Sequence, residues 1–154
     1  MSAFVYGKMS QHAVSAVSYL AEHYGTSNLL SSGQIAEARC LPQPVVAKIL
    51  TTLSAAGLVA GTPGPSGGYR LGRDPGEITF FNVVCHFEIL GGAIPCPLGP
   101  DWCGTGPRCP VHDEIADLRE SGDRLLQETN FAGFVGTDFT KTPGDEESTA
   151  ESPD

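Results

Sequence analysis

No apolar run in the 154 residues approaches the roughly 20 that a membrane-spanning helix requires. The opening stretch MSAFVYGKMSQHAVSAV has no basic patch followed by an uninterrupted apolar core and a small-residue cleavage site, so nothing suggests export and the expected compartment is the cytoplasm. Cations are scarce, nine Lys and Arg against eighteen Asp and Glu for a net charge of −9, which at first argues against a nucleic-acid partner. No Ser/His/Asp or Cys/His catalytic arrangement, phosphate-binding glycine loop or paired-carboxylate signature is found, and the chain is not expected to be an enzyme. Internal repeats are also missing.

The charge that is present is unevenly placed. Residues 1 to 73 carry Lys8, Arg39, Lys48, Arg70 and Arg73 against Glu22 and Glu37, a balance of +3, while residues 74 to 154 carry a balance of −12. A polyanion would therefore be met by the N-terminal half. Five cysteines in a reducing compartment point to a metal or redox centre before a disulfide framework, and the odd count agrees.

The fold expected is mainly α with a small β-hairpin: a winged helix-turn-helix head followed by a long C-terminal helix. From Ser10 to Tyr24, apolar residues recur at spacings of three and four, the stripe of an amphipathic helix. Ser31 and Gln34 have the form of a capping box opening a short helix over about Ser32 to Arg39. Pro42 and Pro44 exclude helix interior and give a tight turn, with Pro44 suited to the start of a third helix that turns Val46, Ile49, Leu50 and Leu53 inward and ends at a left-handed Gly57. Two helices so joined form a helix-turn-helix. Leu58–Ala60 and Tyr69–Leu71 flank GTPGPSGG as the strands of a hairpin wing. Thr79 is a cap for a fourth helix carrying Phe80, Val83, Val84 and Phe87 up to Gly91 and Gly92.

A long helical pattern from about Val111 to Thr129 carries Val111, Ile115, Leu118, Leu125 and Leu126 on one side. It is expected to pair with a second copy of the chain, packing on its own chain being the alternative. The stretch from Thr137 is polar, acidic and poor in aromatics, the composition of a disordered tail. The organisation predicted is thus a DNA-binding unit at 1–78, a linker helix, ligand loop and dimerisation helix at 79–135, and an acidic tail at 136–154.

In a helix-turn-helix the solvent face of the second helix meets the major groove. Gln43, Thr51 and Thr52 are candidates to read base edges there, and Lys48 to meet a base or phosphate. Gly67, Gly68, Tyr69 and Arg70 on the wing are candidates for the backbone or minor groove. Winged helices also serve as protein-interaction modules, and so few cations keep that alternative open.

Between 96 and 112 the chain reads CPLGPDWCGTGPRCPVH. Cys96, Cys103, Cys109 and His112 stand at C-x6-C-x5-C-x2-H, four ligand types within one loop and the start of the next helix. Thiolates serve both Zn²⁺ and iron-sulfur clusters, and His can complete either set. The spacings exceed the x2 to x4 of a zinc knuckle and fit a larger object, with a structural zinc site as the other reading. Prolines stiffen the loop, glycines let backbone N–H groups turn toward cluster sulfurs, and Trp102 is placed to shield one side. Cys40 and Cys85 read as small buried apolar residues, and His12, His23 and His86 as single surface or packed residues.

MSQHAVSAVSYLAEH, QIAEARCLPQPVVAKILTTLSAAGLV, GPSGGYRLGRDPGEIT and the three-cysteine loop before a long helix together resemble the winged-helix transcription regulators that include IscR, NsrR and RirA, over residues 5 to about 135. The resemblance implies a homodimer that binds a double-stranded DNA operator, often as a repressor, with an iron-sulfur cluster in the loop between head and dimerisation helix. Cys96, Cys103 and Cys109 match the family's cluster cysteines. The first gap is one residue longer than the x5 usual in IscR and NsrR. His112 stands where IscR-like members carry a histidine ligand, whereas the position at which NsrR-like members use an acidic group is Gln11. The resemblance therefore favours His112 as fourth ligand and a 2Fe-2S cluster over 4Fe-4S. Pro63 occupies the wing position where some members insert an arginine. An iron-sulfur electron carrier or a zinc-stabilised interaction module are the other functions the pattern allows.

Overall fold

A computed structural model describes residues 6–88, 98 and 108–137. Helix α1 spans Lys8–Glu22, α2 Ser32–Arg39 and α3 Gln43–Ala55; strands β1 (Val59–Thr62) and β2 (Gly68–Leu71) follow, then a short 3-10 turn, α4 (Phe80–Val84), and α5 (His112–Glu128). Ala13, Val17, Leu20 and Ala21 of α1 are buried against Ile35 and Ala36 of α2 and against Val46, Ile49, Leu50 and Leu53 of α3, each of these last four fully buried. The spacing of three and four along each helix concentrates these side chains on one face, so three short helices share one core.

Local chemistry sets the boundaries. The Ser31 hydroxyl accepts from the Gln34 N–H at 3.1 Å while the Gln34 carboxamide accepts from the Ser31 N–H at 2.8 Å, the expected reciprocal cap. Pro44 falls in the first turn of α3, where its missing donor costs nothing, and Gly57 ends the helix at φ +77°. Helix α1 begins two residues before the expected start, at Lys8.

The wing is an antiparallel pair in the register Val59↔Leu71, Ala60↔Arg70, Gly61↔Tyr69 and Thr62↔Gly68. Leu30 extends it, exchanging two backbone hydrogen bonds with Tyr69 at 3.0 and 2.7 Å, so the segment entering α2 is sewn to the wing. Gly67 has no alternative residue at the tip: a Cβ there would lie 2.0 Å from the Thr62 carbonyl oxygen.

Two expectations are corrected. Cys40 is exposed and caps α2 in the left-handed region at φ 53°, its N–H donating to the carbonyls of Ala36 and Glu37, because the chain must reverse at once into Leu41. It is therefore not a buried apolar residue. The apolar residues of α5 do not share one side either. Leu126 is 2% exposed, whereas Leu118 and Leu125 are 50% and 47% exposed. At about 100° per residue, Leu125 and its neighbour Leu126 must point to different faces. Leu126 joins Val83, Val84 and Ile78 in the core, and the other face is left to solvent.

Beyond α5 the chain returns to the head. Phe80 N–H donates to the Thr129 carbonyl at 2.8 Å, Thr79 pairs with Asn130, and Phe131 N–H is shared between the carbonyls of Pro75 and Ile78 at 3.1 and 3.2 Å. Phe131 is fully buried, with its ring centroid 4.8 Å from that of Phe80 and 5.8 Å from that of Phe134. Helix α4 is shorter than expected; hydrogen-bonded turns continue it from Cys85 to Glu88, and Gly91 and Gly92 lie outside the described residues.

Candidate nucleic-acid interface and metal ligands

Burial of Val46, Ile49, Leu50 and Leu53 fixes what α3 shows to solvent. Gln43, Lys48 and Thr51 are exposed and Thr52 is half-buried. The Thr51 hydroxyl donates to the Ala47 carbonyl at 2.9 Å and the Thr52 hydroxyl to the Lys48 carbonyl at 3.0 Å. Each hydroxyl hydrogen is thereby used within the helix, and the oxygen lone pairs remain to accept from a donor outside it.

Between α3 and the wing lies a groove of about 490 Å³, lined by Ser31, Ser32, Thr51, Ser54, Thr62 and Tyr69 among others, with Gly67 and Gly68 on its wing side. It is walled by hydroxyls and backbone rather than by cations. The buried Ser54 hydroxyl has no hydrogen-bond partner among the described residues. On β2, Tyr69 lies against the core while Arg70 points to solvent, as alternation along a strand requires. Lys48, Arg70 and Arg73 are exposed and make no ion pair among the described residues.

Arg39 is not part of this surface. Its guanidinium pairs with Glu22, donates to the Ser18 hydroxyl at 3.1 Å and the Ser15 carbonyl at 3.3 Å, and lies 5.1 Å from the Tyr19 ring centroid. With side-chain exposures of 11% and 4%, Arg39 and Glu22 form a buried clamp between α2 and α1. One of the five cations counted toward a polyanion is thus spent within the fold. A buried pair that charge counting cannot reveal is what the sequence reading missed.

Of the candidate metal ligands, Cys96 and Cys103 lie outside the described residues. Cys109 and His112 are both half-buried, and the His112 N–H donates to the Cys109 carbonyl at 3.1 Å. That single turn places Cys109 and His112 at the start of α5, and thiol and imidazole are donors suited to zinc or to a cluster iron. No group of three or more His, Cys, Asp or Glu side chains able to hold a metal occurs among the described residues. Cys85 stands apart from this pair on the turn after α4, its thiol donating to the Asn82 carbonyl and its pKa pushed up by burial. No helix of the described residues is long and apolar enough to cross a membrane.

Comparison with known proteins places this geometry. IscR of Serratia proteamaculans, an HTH-type transcriptional regulator, is 30% identical over 125 residues, which are 81% of this chain and 75% of that protein. The fold matches that of T. potens IscR, with a TM-score of 0.63 at 24% identity over 82% of both chains. It also matches CymR, the global cysteine regulator of B. subtilis, with a TM-score of 0.67 at 22% identity over 86% of this chain and 97% of that one. A family model described as Rrf2, iron-dependent transcriptional regulator, matches residues 6–137. The similar proteins are named as regulators of transcription and not as enzymes. With its helix-turn-helix, its wing and the helix that follows, the chain belongs to the Rrf2 family of transcriptional regulators.

Proposed function

We propose that the chain is a homodimeric DNA-binding repressor whose operator affinity is set by an iron-sulfur cluster. The observation that carries the DNA reading is the exposed row Gln43, Lys48 and Thr51 on α3 beside the hydroxyl-lined groove of the wing. In the major groove, Gln43 suits the adenine edge, and the Thr51 and Thr52 oxygens accept from base amino groups. Lys48 and Arg70 meet phosphates, and Gly67 and Gly68 let the wing backbone approach the minor groove or sugar edge. Residues 1–78 form the DNA-binding unit in this reading.

Dimerisation falls to the open face of α5. Val111, Leu118 and Leu125, seven residues apart and exposed, form a stripe of the kind that pairs helices. Pairing there would set the separation of two α3 helices, and half-sites one turn apart, about 10 to 10.5 base pairs, tolerate little displacement.

Cys96, Cys103, Cys109 and His112 would hold the cluster, with 2Fe-2S favoured over 4Fe-4S; such a group supplies redox- and iron-responsive coordination. What the protein's own residues do is hold the start of α5. As ligands, Cys109 and His112 would fix its first turn, while Leu126 and the Thr129–Phe131 segment fix its far end to the head. Releasing the first turn would let the dimer geometry relax. A typical coupling of about 1 to 3 kcal/mol is roughly 5- to 150-fold in affinity.

The test is anaerobic purification followed by iron, sulfide and zinc analysis and by operator titration of the wild-type chain, Cys109→Ala and His112→Ala. Iron and sulfide in the wild type, with weakened or strengthened operator binding in the variants, support the reading. A colourless zinc protein, or equal affinity and equal salt slope in all three, overturns the cluster-controlled switch.

A further inference from the structure

Residues 138–154 carry Asp138, Asp145, Glu146, Glu147, Glu151 and Asp154 against the single Lys141. The described chain ends just before this stretch, at Thr137. The Gly136 N–H donates to the Glu22 carbonyl at 3.3 Å and the Thr137 N–H to the Phe134 carbonyl at 3.2 Å, so the exit is at the C-terminus of α1. The next residues of the chain at that point, His23 and Tyr24, line a cleft of about 320 Å³ whose opposite wall is Tyr69, Arg70 and Leu71 of β2. The residues just before the acidic segment are thus held at the helix end next to this cleft, and Arg70 on the cleft's other side is exposed and makes no ion pair among the described residues.

We propose that residues 138–154 dock across this cleft and the cationic base of the wing, where they compete with DNA for the same charges. Reach is not limiting, since seventeen residues extend to at most about 60 Å. Tethering supplies an effective concentration in the millimolar range, so even a weak charge contact is substantially populated. The carboxylates would face Arg70 and Arg73, the cations of the wing base that stay exposed while Arg39 is tied to Glu22. Asp74 and Glu77 stand just after Arg73 and weaken the attraction there, which leaves Arg70 as the principal contact. The competition with DNA rests on the DNA-binding reading above; the docking itself does not.

The experiment compares the full chain with a chain ending at Thr137. In amide NMR spectra recorded without DNA at low salt, the expected differences cluster at His23–Thr26 and Tyr69–Gly72. A synthetic peptide of residues 138–154 reproduces them on the shortened chain, Arg70→Gln reduces them, and about 0.5 M NaCl removes them by screening. In titrations of a random-sequence duplex, the shortened chain binds roughly three- to tenfold more tightly at low salt, with a steeper salt dependence because its cations are no longer neutralised from within. Superimposable spectra overturn the proposal even if affinity rises, since that rise alone is long-range repulsion. Shifts at the cleft with no DNA binding by either chain leave the docking in place and overturn the DNA reading instead.

Discussion

Glu88 caps a helix 81 residues away: its Oε1 accepts from the Gly7 N–H and from the Ser10 hydroxyl, both at 2.7 Å, and so closes the N-terminus of α1 that Gly7 cannot close itself. Ser10 is fully buried. Glu88→Ala would leave a buried hydroxyl and a helix-terminal N–H without their acceptor, at a cost of about 1 to 3 kcal/mol. Denaturant titration should find that loss, with a smaller one for Glu88→Gln, which keeps an acceptor oxygen.

The clamp between α1 and α2 is the most demanding electrostatic feature of the head. Arg39→Met removes a charge but leaves Glu22 buried beside an apolar side chain, and about 3 to 5 kcal/mol of stability should go with it. Adding Glu22→Leu should recover much of the loss, because an uncompensated charge is costlier than an absent pair. Urea unfolding of the two single variants and the double variant measures this; a double variant as unstable as the sum of the singles contradicts the argument.

Cys40 sits in a backbone conformation that a side chain resists. Cys40→Gly should therefore stabilise the protein by roughly 0.5 to 1 kcal/mol, read as a higher unfolding midpoint, despite the extra freedom glycine gives the unfolded chain. Alkylation followed by mass spectrometry should label Cys40 well before Cys85. Burial raises the Cys85 pKa, so at a given pH less of it is the reactive thiolate, and its labelling should accelerate only as pH rises.

Among the side chains proposed to face DNA, charge and hydrogen bonding should separate in binding assays. Lys48→Ala should weaken binding to all duplexes alike and lower the salt slope by about one ion, whereas Gln43→Ala should cost about 1 to 3 kcal/mol at one base position and relax the preference there. Fluorescence anisotropy on matched and scrambled sites distinguishes them.

Much of the head was legible because its signals are local. Ser31 with Gln34, the prolines at 42 and 44, and Gly57 each fix a boundary through their own backbone chemistry, and these boundaries fall at or within a residue or two of the observed ones. What could not be read depends on partners distant in sequence. Arg39 looks like any surface cation until Glu22 is seen beside it, and Phe131 gives no periodic signal because its place is set by carbonyls of Pro75 and Ile78. Leu125 and Leu126 are equally apolar, and only the position of α4 decides which of them is inside. Of the candidate ligands, Cys109 and His112 are brought to one turn, while Cys96 and Cys103 fall outside the described residues.

The return of the chain at Thr129–Phe131 gives α5 a mechanical character. Stitched to the head at its C-terminus and carrying Cys109 and His112 at its start, the helix is a rod about 25 Å long with a fulcrum at one end. A sideways shift of 1 Å at the start of such a rod is a swing of only about 2° about its anchored end, so in the proposed switch a change at the loop would reach the head as a small rotation.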